Sequence, residues 1–167
     1  MLKVLSKEEL ELLFALEENS QISNEELSRR LGISEVAVGE LKEKLEKEGI
    51  IVKYKAVVNW EKIESPEVVA LIQVTVTPKS GTGYDEVAEK ISALNEVKTC
   101  LLVSGSFDLL VEVQGPSLKD VAFLVANKLA TLEGVEHTRT NFLLKRYKQG
   151  GDILGSSTKT HRLPIVI

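Results

Sequence analysis

Within the first 50 residues, apolar side chains recur at intervals of three and four positions in three short segments, which predicts three amphipathic helices. Ser6, Ser23 and Ser34 stand at the starts of these segments, where a serine can cap a helix. A glutamate follows each of the first two serines by three positions, the spacing of a capping box. Gly32, before the third segment, can adopt the left-handed conformation of a short turn. The side chains expected to face inward are Leu10, Leu13 and Phe14, then Leu27 and Leu31, then Val38, Leu41 and Leu45.

Residues 50–58, IIVKYKAVV, are β-branched and aromatic with partial alternation, which predicts one or two short strands. With Gly32 as a turn glycine, the positions that lock the two helices of a helix-turn-helix are all apolar: Leu27, Leu31, Ile33, Val38 and Leu41. A plain three-helix bundle shares most of this spacing, but the strands that follow favour a winged helix-turn-helix in residues 1–58. Residues 59–68 contain a Ser-Pro pair and are predicted to be a linker.

A second pattern of apolar positions, from residue 69 to residue 148, predicts elements in the order strand, helix, strand, strand, helix, strand. The apolar stripes of its two helices are Val87, Ile91 and Leu94, and then Val121, Leu124, Val125 and Leu129. Both stripes can cover one face of a four-stranded antiparallel sheet, so an α+β class with a ferredoxin-like βαββαβ domain is predicted. Some strands are apolar on both faces, as at Leu101 with Leu102, which predicts that the bare sheet face meets a second subunit.

Residues 149–167 form the predicted C-terminal tail. Its Gly/Ser-rich middle, residues 152–161, is expected to be mobile. The apolar ending RLPIVI is expected to pack as a short edge segment, because exposed apolar side chains promote association.

Composition narrows the functional classes. The 167 residues are 43% hydrophobic with net charge -4, which argues against nucleic-acid binding over the whole surface but allows a local basic patch. No apolar run is long enough to span a membrane, so a cytoplasmic protein is expected. The single cysteine, Cys100, is expected to be buried and inert. With only His137 and His161, and with no nucleophile-base pair, metal-ligand cluster or phosphate-binding glycine loop, neither catalysis nor a metal or cofactor is expected.

Two stretches resemble a known family. ISNEELSRRLGISEVAV followed by LEKEGIIVKYKAVVNW resembles the winged helix and linker of the leucine-responsive and asparagine regulators, the Lrp/AsnC family. VSGSFDLLVEV carries that family's Gly-x-x-Asp signature as Gly105 and Asp108. LEGVEHTRTNFLLKRYK carries its late Gly-Val and Thr-x-Thr pattern, here Gly134, Val135, Thr138 and Thr140. The resemblance covers about residues 6–148 and leaves out the tail.

This resemblance implies a transcriptional regulator that binds double-stranded DNA and whose C-terminal RAM-type domain senses a small amino-acid-like effector. It also implies dimers formed by pairing C-terminal sheets, often assembled into octamers, with the effector bound between dimers. The candidate effector residues are Ser104, Gly105, Asp108, Thr138 and Thr140. Asp108 is suited to an ammonium group, and the threonine hydroxyls are suited to a carboxylate. Alternatively, Gly105 and Asp108 only form the β-turn between two strands, with Asp108 capping its own backbone, and the threonines are only good strand formers.

The predicted recognition helix is acidic. The family usually has arginine or lysine in the first two turns of this helix, whereas the exposed positions here are Ser34, Glu35, Ala37, Gly39 and Glu40. Phosphate contacts are therefore expected from elsewhere, from Arg29, Arg30, Lys42, Lys44, Lys53 or Lys55, although each of these is also explained as an ordinary surface charge. The alternative function is a metabolite-sensing oligomer with weakened or lost DNA binding that acts through a protein partner.

Overall fold

The computed structural model describes residues 3–64, 67–78, 81 and 83–154, and the chain divides into two compact units, residues 1–58 and 59–167. Three helices form the first unit: α1 (Lys7–Glu18), α2 (Asn24–Leu31) and α3 (Glu35–Lys47). Ser6, Ser23 and Ser34 cap them, and each hydroxyl accepts a hydrogen bond from the backbone N–H three residues later. The predicted helices and their serine caps are therefore confirmed.

Only one of the two predicted capping boxes is complete. Glu9 accepts a hydrogen bond from the backbone N–H of Ser6 at 2.8 Å, which closes the first box. In the second, the carboxylate of Glu26 instead accepts from the guanidinium of Arg30 at 2.8 Å. A charged donor one helical turn away competes with the neutral N–H of Ser23, so the second prediction was half wrong.

The core of the first unit uses a different stripe of α1 from the predicted one. Leu10 is 42% exposed and Phe14 is 66% exposed, so the prediction that both face inward was wrong. The apolar pattern of this helix is compatible with two stripes one position apart, and the buried stripe contains a glutamate, Glu9, that sequence patterning assigns to solvent. The buried apolar residues of the unit are Leu12, Ala15, Leu16, Ile22, Leu27, Val38 and Leu45.

Residues 52–59 contain no strand, which corrects the prediction of one or two strands in residues 50–58. A strand needs a partner for its backbone groups, and this unit has none among its described residues. The segment is instead held by side chains: the hydroxyl of Tyr54 donates to Glu46 Oε1 at 2.8 Å. Burial and this hydrogen bond to Glu46 raise the pKa of Tyr54 to about 12. Val52 and Val57 remain exposed, so the β-branched pattern here did not produce a sheet.

The second unit is a four-stranded antiparallel sheet with two helices on one face. Its elements are β1 (Val68–Val76), α4 (Asp85–Ser92), β2 (Val97–Leu102), β3 (Leu109–Gly115), α5 (Leu118–Leu124, continued by a π-helical turn at Val125–Leu129) and β4 (Val135–Phe142). The strand order β2-β3-β1-β4 is that of a ferredoxin-like βαββαβ fold, so the predicted class and topology are confirmed.

Alternating side chains of the sheet separate into two faces. The strand residues facing the helices are buried: Ala70, Ile72, Val74 and Val76 of β1, and Leu109, Val111 and Val113 of β3. They pack against the buried helix residues Val87, Ile91, Val121, Leu124, Val125 and Leu129. The opposite side, called here the open sheet face, carries Leu101, Leu71, Gln73, Thr75, Leu110, Glu112 and Gln114. Both predicted helix stripes thus pack on the sheet, and Cys100 is partly buried against the same core.

Short elements flank the sheet. A 3-10 turn spans Trp60–Lys62, and two residue pairs, β5 (Lys148–Gln149) and β6 (Asp152–Ile153), form a hairpin at the start of the region predicted as a tail. The rest of that tail, with RLPIVI and His161, lies outside the described residues. None of the helices that the structure describes is long and apolar enough to cross a membrane.

Candidate DNA-binding face and effector site

The turn between α2 and α3 fixes the angle between these helices. Gly32 has φ 69° and its N–H donates to the carbonyl of Ser28 at 2.9 Å, which ends α2 in the left-handed conformation that glycine adopts without strain. The Ser28 hydroxyl donates to the carbonyl of Ile33 across the turn. All five predicted locking positions contact one core, with Leu27 and Val38 fully buried and Leu31, Ile33 and Leu41 partly buried.

Because that core holds one side of α3, its other side is free. Glu35 and Glu40 are exposed, as predicted, while Ala37 and Gly39 are partly buried. The Ser34 hydroxyl accepts from the backbone N–H of Ala37 at 3.2 Å, so its direct role is that of a cap. Val36 is 71% exposed on this face and was missed by the sequence reasoning, which considered only polar and small residues.

Most predicted phosphate-binding side chains are engaged inside the unit. Their partners are Glu25 for Arg29, Glu26 and Glu18 for Arg30, Asn24 for Lys42, and Glu9 for Lys44. Among the described residues, the side chains of Lys53 and Lys55 have no such partner, and both lie in the exposed segment after α3. The structure therefore leaves these two lysines as the freest predicted cations.

Lys44 has a role that the sequence did not predict. Its ammonium lies 2.8 Å from a carboxylate oxygen of Glu9, the one charged residue that is buried among those described. Glu9 also accepts from the backbone N–H of Ser6 and lies 3.7 Å from the ammonium of Lys3. The hydrogen bond from Lys44, and next the one from Ser6, lower the pKa of Glu9 to about 2. Lys44 thereby ties α3 to α1 instead of facing outward with Glu40.

The depressed pKa of Glu9 predicts how acid affects the first unit. Its contribution to stability is complete above the usual carboxyl pKa of 4.5 and is lost as pH falls toward about 2. Glu9→Gln is expected to lower the urea midpoint at pH 7 and to flatten its decline between pH 5 and pH 2, measured by helical circular dichroism. The control Glu17→Gln, at an exposed site on α1, is expected to keep the wild-type profile. An unchanged acid profile in Glu9→Gln would contradict this assignment.

The predicted effector loop follows β2, and its aspartate is bonded to the neighbouring strand. Ser104 and Gly105 are exposed. The backbone N–H of Asp108 donates to the carbonyl of Val74 at 3.0 Å, and its Oδ2 accepts from the N–H of Val76 at 2.8 Å. The backbone of Asp108 thus extends the hydrogen bonding between β3 and β1. Its side chain accepts from the backbone N–H of the last residue of β1, rather than capping its own turn.

The predicted threonines lie two strands away from this loop. Thr138 and Thr140 are in register with Val74 and Ile72, whose side chains are buried, so both threonines lie on the helix-bearing face of edge strand β4. Leu109, next to Asp108, is in register with Val74 from the other side. Two strand spacings separate Leu109 from Thr138, about 10 Å. The structure brings the two groups to one end of the sheet but leaves β1 between them.

The neighbouring Gly-Val pattern is structural. Gly134 has φ 95°, and a Cβ there would lie 3.0 Å from Val87 of α4. The tight turn into β4 therefore requires glycine.

A cavity of about 450 Å³ occupies the other end of the open sheet face. Arg146 crosses it, with its guanidinium 2.7 Å from Glu112 and its backbone N–H donating to Glu61 at 2.9 Å. Trp60, Ile63, Val69, Leu143 and Leu154 supply apolar walls. Sequence patterning gave no signal for this cavity, because it is assembled from segments far apart in the chain.

Both units of the chain match models of known domains. Residues 69–153 match the model of the Lrp/AsnC ligand binding domain, and residues 6–52 match that of a winged helix-turn-helix DNA-binding domain. The chain belongs to the Lrp/AsnC family. It is 41% identical over 162 residues to YugG of Bacillus subtilis, an uncharacterized HTH-type transcriptional regulator, covering 96% of this chain and 98% of the relative. It is 33% identical to the leucine-responsive regulatory protein of Haemophilus influenzae over 88% of both chains.

Solved structures agree with this Lrp/AsnC assignment. A transcriptional regulator of Neisseria meningitidis in complex with L-Met superposes with TM-score 0.65 at 25% identity, covering 87% of this chain and 94% of the other. AsnC of Escherichia coli shares the fold with TM-score 0.63 at 22% identity, covering 88% and 97%. The protein is thus an Lrp/AsnC transcriptional regulator with a DNA-binding and a ligand-binding domain. Both of the sequence relatives, YugG and the Haemophilus influenzae protein, are named as regulators, which agrees with the expectation of a transcriptional regulator.

Proposed function

We propose that this Lrp/AsnC regulator binds its operator as an oligomer, and that a small amino-acid-like effector bound between dimers modulates that binding. The observation that carries the proposal is the loop at Gly105 and Asp108, which lies at one end of the sheet of a matched ligand-binding domain. The relative from Neisseria meningitidis, a complex with L-Met, supports an amino acid as the class of effector.

DNA contact is assigned to the exposed side of α3 and to the segment after it. The first turn of α3 presents the positive end of its dipole at Ser34, and Gly39, which has no Cβ, lets DNA approach the backbone closely. Lys53 and Lys55 supply the sequence-independent phosphate contacts. Arg29 and Arg30 are secondary, since each must give up or share an intrahelical carboxylate.

Effector binding is assigned to two chains together. Asp108 accepts hydrogen bonds from the ammonium group, because its carboxyl is partly exposed and can accept more than the one from Val76. Ser104 and Gly105 supply exposed backbone beside it, and the hydroxyls of Thr138 and Thr140 bind the carboxylate. Since about 10 Å separates the loop from the threonines within one chain, one amino acid can reach both groups only when a second copy contributes one of them.

Oligomerisation is assigned to the open sheet face. Leu101 and Leu110 are in register on it, and Leu144 is 94% exposed. Large exposed apolar side chains of this kind are typical of a surface that another protein covers. A second copy covering this face forms the dimer, and dimers assemble further, up to octamers. The effector then acts through its different affinity for two assemblies, which changes the spacing of the winged helices rather than unfolding them.

One experiment tests the effector directly. DNA fragments bound by the wild-type protein are selected from random sequence at low salt, and affinity, mass and shape are measured with each of a panel of amino acids, including L-Met. At least one amino acid is expected to change DNA affinity. Asp108→Asn is expected to weaken that amino acid's binding roughly tenfold, through loss of a charge-assisted hydrogen bond, while DNA affinity without amino acids stays unchanged.

Asp85→Asn is the matched control, because Asp85 is an exposed aspartate in the first turn of α4. It is expected to respond as the wild type does. If DNA affinity, mass and shape are unchanged for every amino acid, the proposal that an amino-acid effector modulates DNA binding is excluded. If no fragment is bound even at low salt, the DNA-binding part of the proposal fails instead.

A further inference from the structure

The outward face of α3 has an apolar centre. Val36 is 71% exposed in the first turn, and Leu45, two and a half turns further on, points the opposite way into the core with full burial. Glu40 follows Val36 by one helical turn, so these two side chains are neighbours on the strip that faces away from the core. Gly39 beside them has no side chain to shield either one.

Glu40 also differs from the glutamates later in α3. Glu43 is paired with Lys47 at 2.7 Å, Glu46 accepts from the hydroxyl of Tyr54, and Glu48, the C-terminal cap, is paired with Lys3. Within the described parts of the chain, Glu40 has no hydrogen-bond or ion-pair partner. Glu35 likewise has no partner among the described residues, but it lies about 100° around the helix from Val36 and therefore outside the strip.

An unpaired carboxylate at a DNA surface is costly, because it repels phosphates and releases no counterions. That cost is offset only where the carboxylate accepts a hydrogen bond from a base. In the major groove, the amino group of cytosine N4 is a donor that glutamate accepts from, while guanine offers two acceptors that repel it. An exposed aliphatic side chain such as Val36 finds one apolar group there, the C5-methyl of thymine.

We infer that Val36 and Glu40 determine the base specificity of this regulator, Val36 by contact with a thymine methyl and Glu40 by accepting from cytosine N4. Side chains one helical turn apart are about 5–6 Å apart, and base pairs follow one another by about 3.4 Å. The two side chains therefore reach adjacent or next-but-one base pairs. Each half-site accordingly contains a thymine and a cytosine within a three-base window, with no guanine read by this strip. The inference rests on the family's DNA-binding function and on α3 entering the major groove.

The first test removes a single methyl group from the DNA. In a site selected by the wild-type protein, each thymine is replaced in turn by uracil, which lacks only the C5-methyl. One replacement in each half-site is expected to weaken wild-type binding about fourfold, the value of one buried methyl group. Val36→Ala is expected to bind thymine and uracil sites equally, because its shorter side chain does not reach that methyl.

The second test changes the acceptor. Glu40→Gln, which is similar in size, is expected to relax the preference for cytosine at one position roughly tenfold and to favour adenine there, since glutamine pairs with adenine N6 and N7. Glu17→Gln on α1 controls for the loss of one negative charge and is expected to leave every base preference unchanged. Circular dichroism confirms that each variant folds.

The outcomes distinguish failure of the proposed base contacts from failure of DNA binding itself. If Glu40→Gln strengthens binding equally for all sequences without changing any base preference, Glu40 only repels DNA and the inference is overturned. If the uracil penalty persists in Val36→Ala, the role of Val36 is overturned. If the wild-type protein binds no DNA at low salt, it is the DNA-binding function itself that fails.

Discussion

Leu27→Ala is expected to unfold much of the first unit and to abolish DNA binding. Leu27 is fully buried between the helices of this unit, and its replacement costs about 3 kcal/mol through lost transfer energy and the cavity left behind. A unit of this size has a total stability of roughly 3–9 kcal/mol, so the loss is a large fraction of the whole. Amide hydrogen exchange read by mass spectrometry, which reports α1, α2 and α3 separately from the second unit, measures the effect.

Phe14→Ala is the matched control for that prediction. Phe14 has the larger side chain, but it is 66% exposed, so the substitution is expected to change stability by less than about 0.5 kcal/mol. Both residues were predicted to face inward, so the pair compares a position that the structure buries with one that it leaves exposed. Equal increases in hydrogen exchange for Phe14→Ala and Leu27→Ala would contradict the packing described for the first unit.

The second large effect is expected at the open sheet face. Leu101→Glu places a carboxylate where a second copy of the sheet is proposed to pack, next to Leu110 in register. Burying that charge costs about 3 kcal/mol or more, a factor of roughly one hundred in the dimer dissociation constant. Light scattering coupled to size-exclusion chromatography is expected to show the mass of one chain for this variant and a multiple of it for the wild type.

Leu118→Glu controls for the added charge. Leu118 is 57% exposed in the first turn of α5, on the opposite layer from the open sheet face, and Leu101 is 49% exposed. A glutamate suits the first turn of a helix, so the fold and the assembly are expected to survive. If Leu101→Glu retains the wild-type mass, the dimer forms through another surface.

Local signals predicted most of the fold. The serine caps at Ser6, Ser23 and Ser34 depend only on neighbouring backbone groups, and the stripes of α4 and α5 pack as their spacing indicates. The failures came where a choice depended on distant residues. The stripe of α1 was misassigned because Glu9 is buried only by virtue of Lys44, 35 positions away. The strand at residues 50–58 was misassigned because propensity cannot supply a pairing partner.

The candidate sites show the same division. The helix-turn-helix positions and the Gly105–Asp108 loop follow from spacing and resemblance, since both are short continuous motifs. Which lysines are free does not follow from spacing. Lys42 is held by Asn24 and Lys44 by Glu9, and those hydrogen bonds exist only after α3 packs on α2 and α1. Val36 was not predicted as a DNA contact because the candidates were chosen among polar and small residues. Its position along α3 nevertheless places it on the side of the helix that faces away from the core.

The contacts around Arg146 bear on where the ligand-binding unit begins and ends. Arg146 joins Glu112 of the sheet to Glu61, and the Asn59 side chain donates to the carbonyl of Leu154 at 2.6 Å. These hydrogen bonds join the two segments that flank the six-element fold, residues 59–63 and 146–154, over one sheet face. A shortened version trimmed to residues 69–142 would expose Val69 and lose these hydrogen bonds. The smallest piece able to stand alone accordingly includes both flanks, and domain-exchange experiments need their junctions before Asn59 and after Leu154.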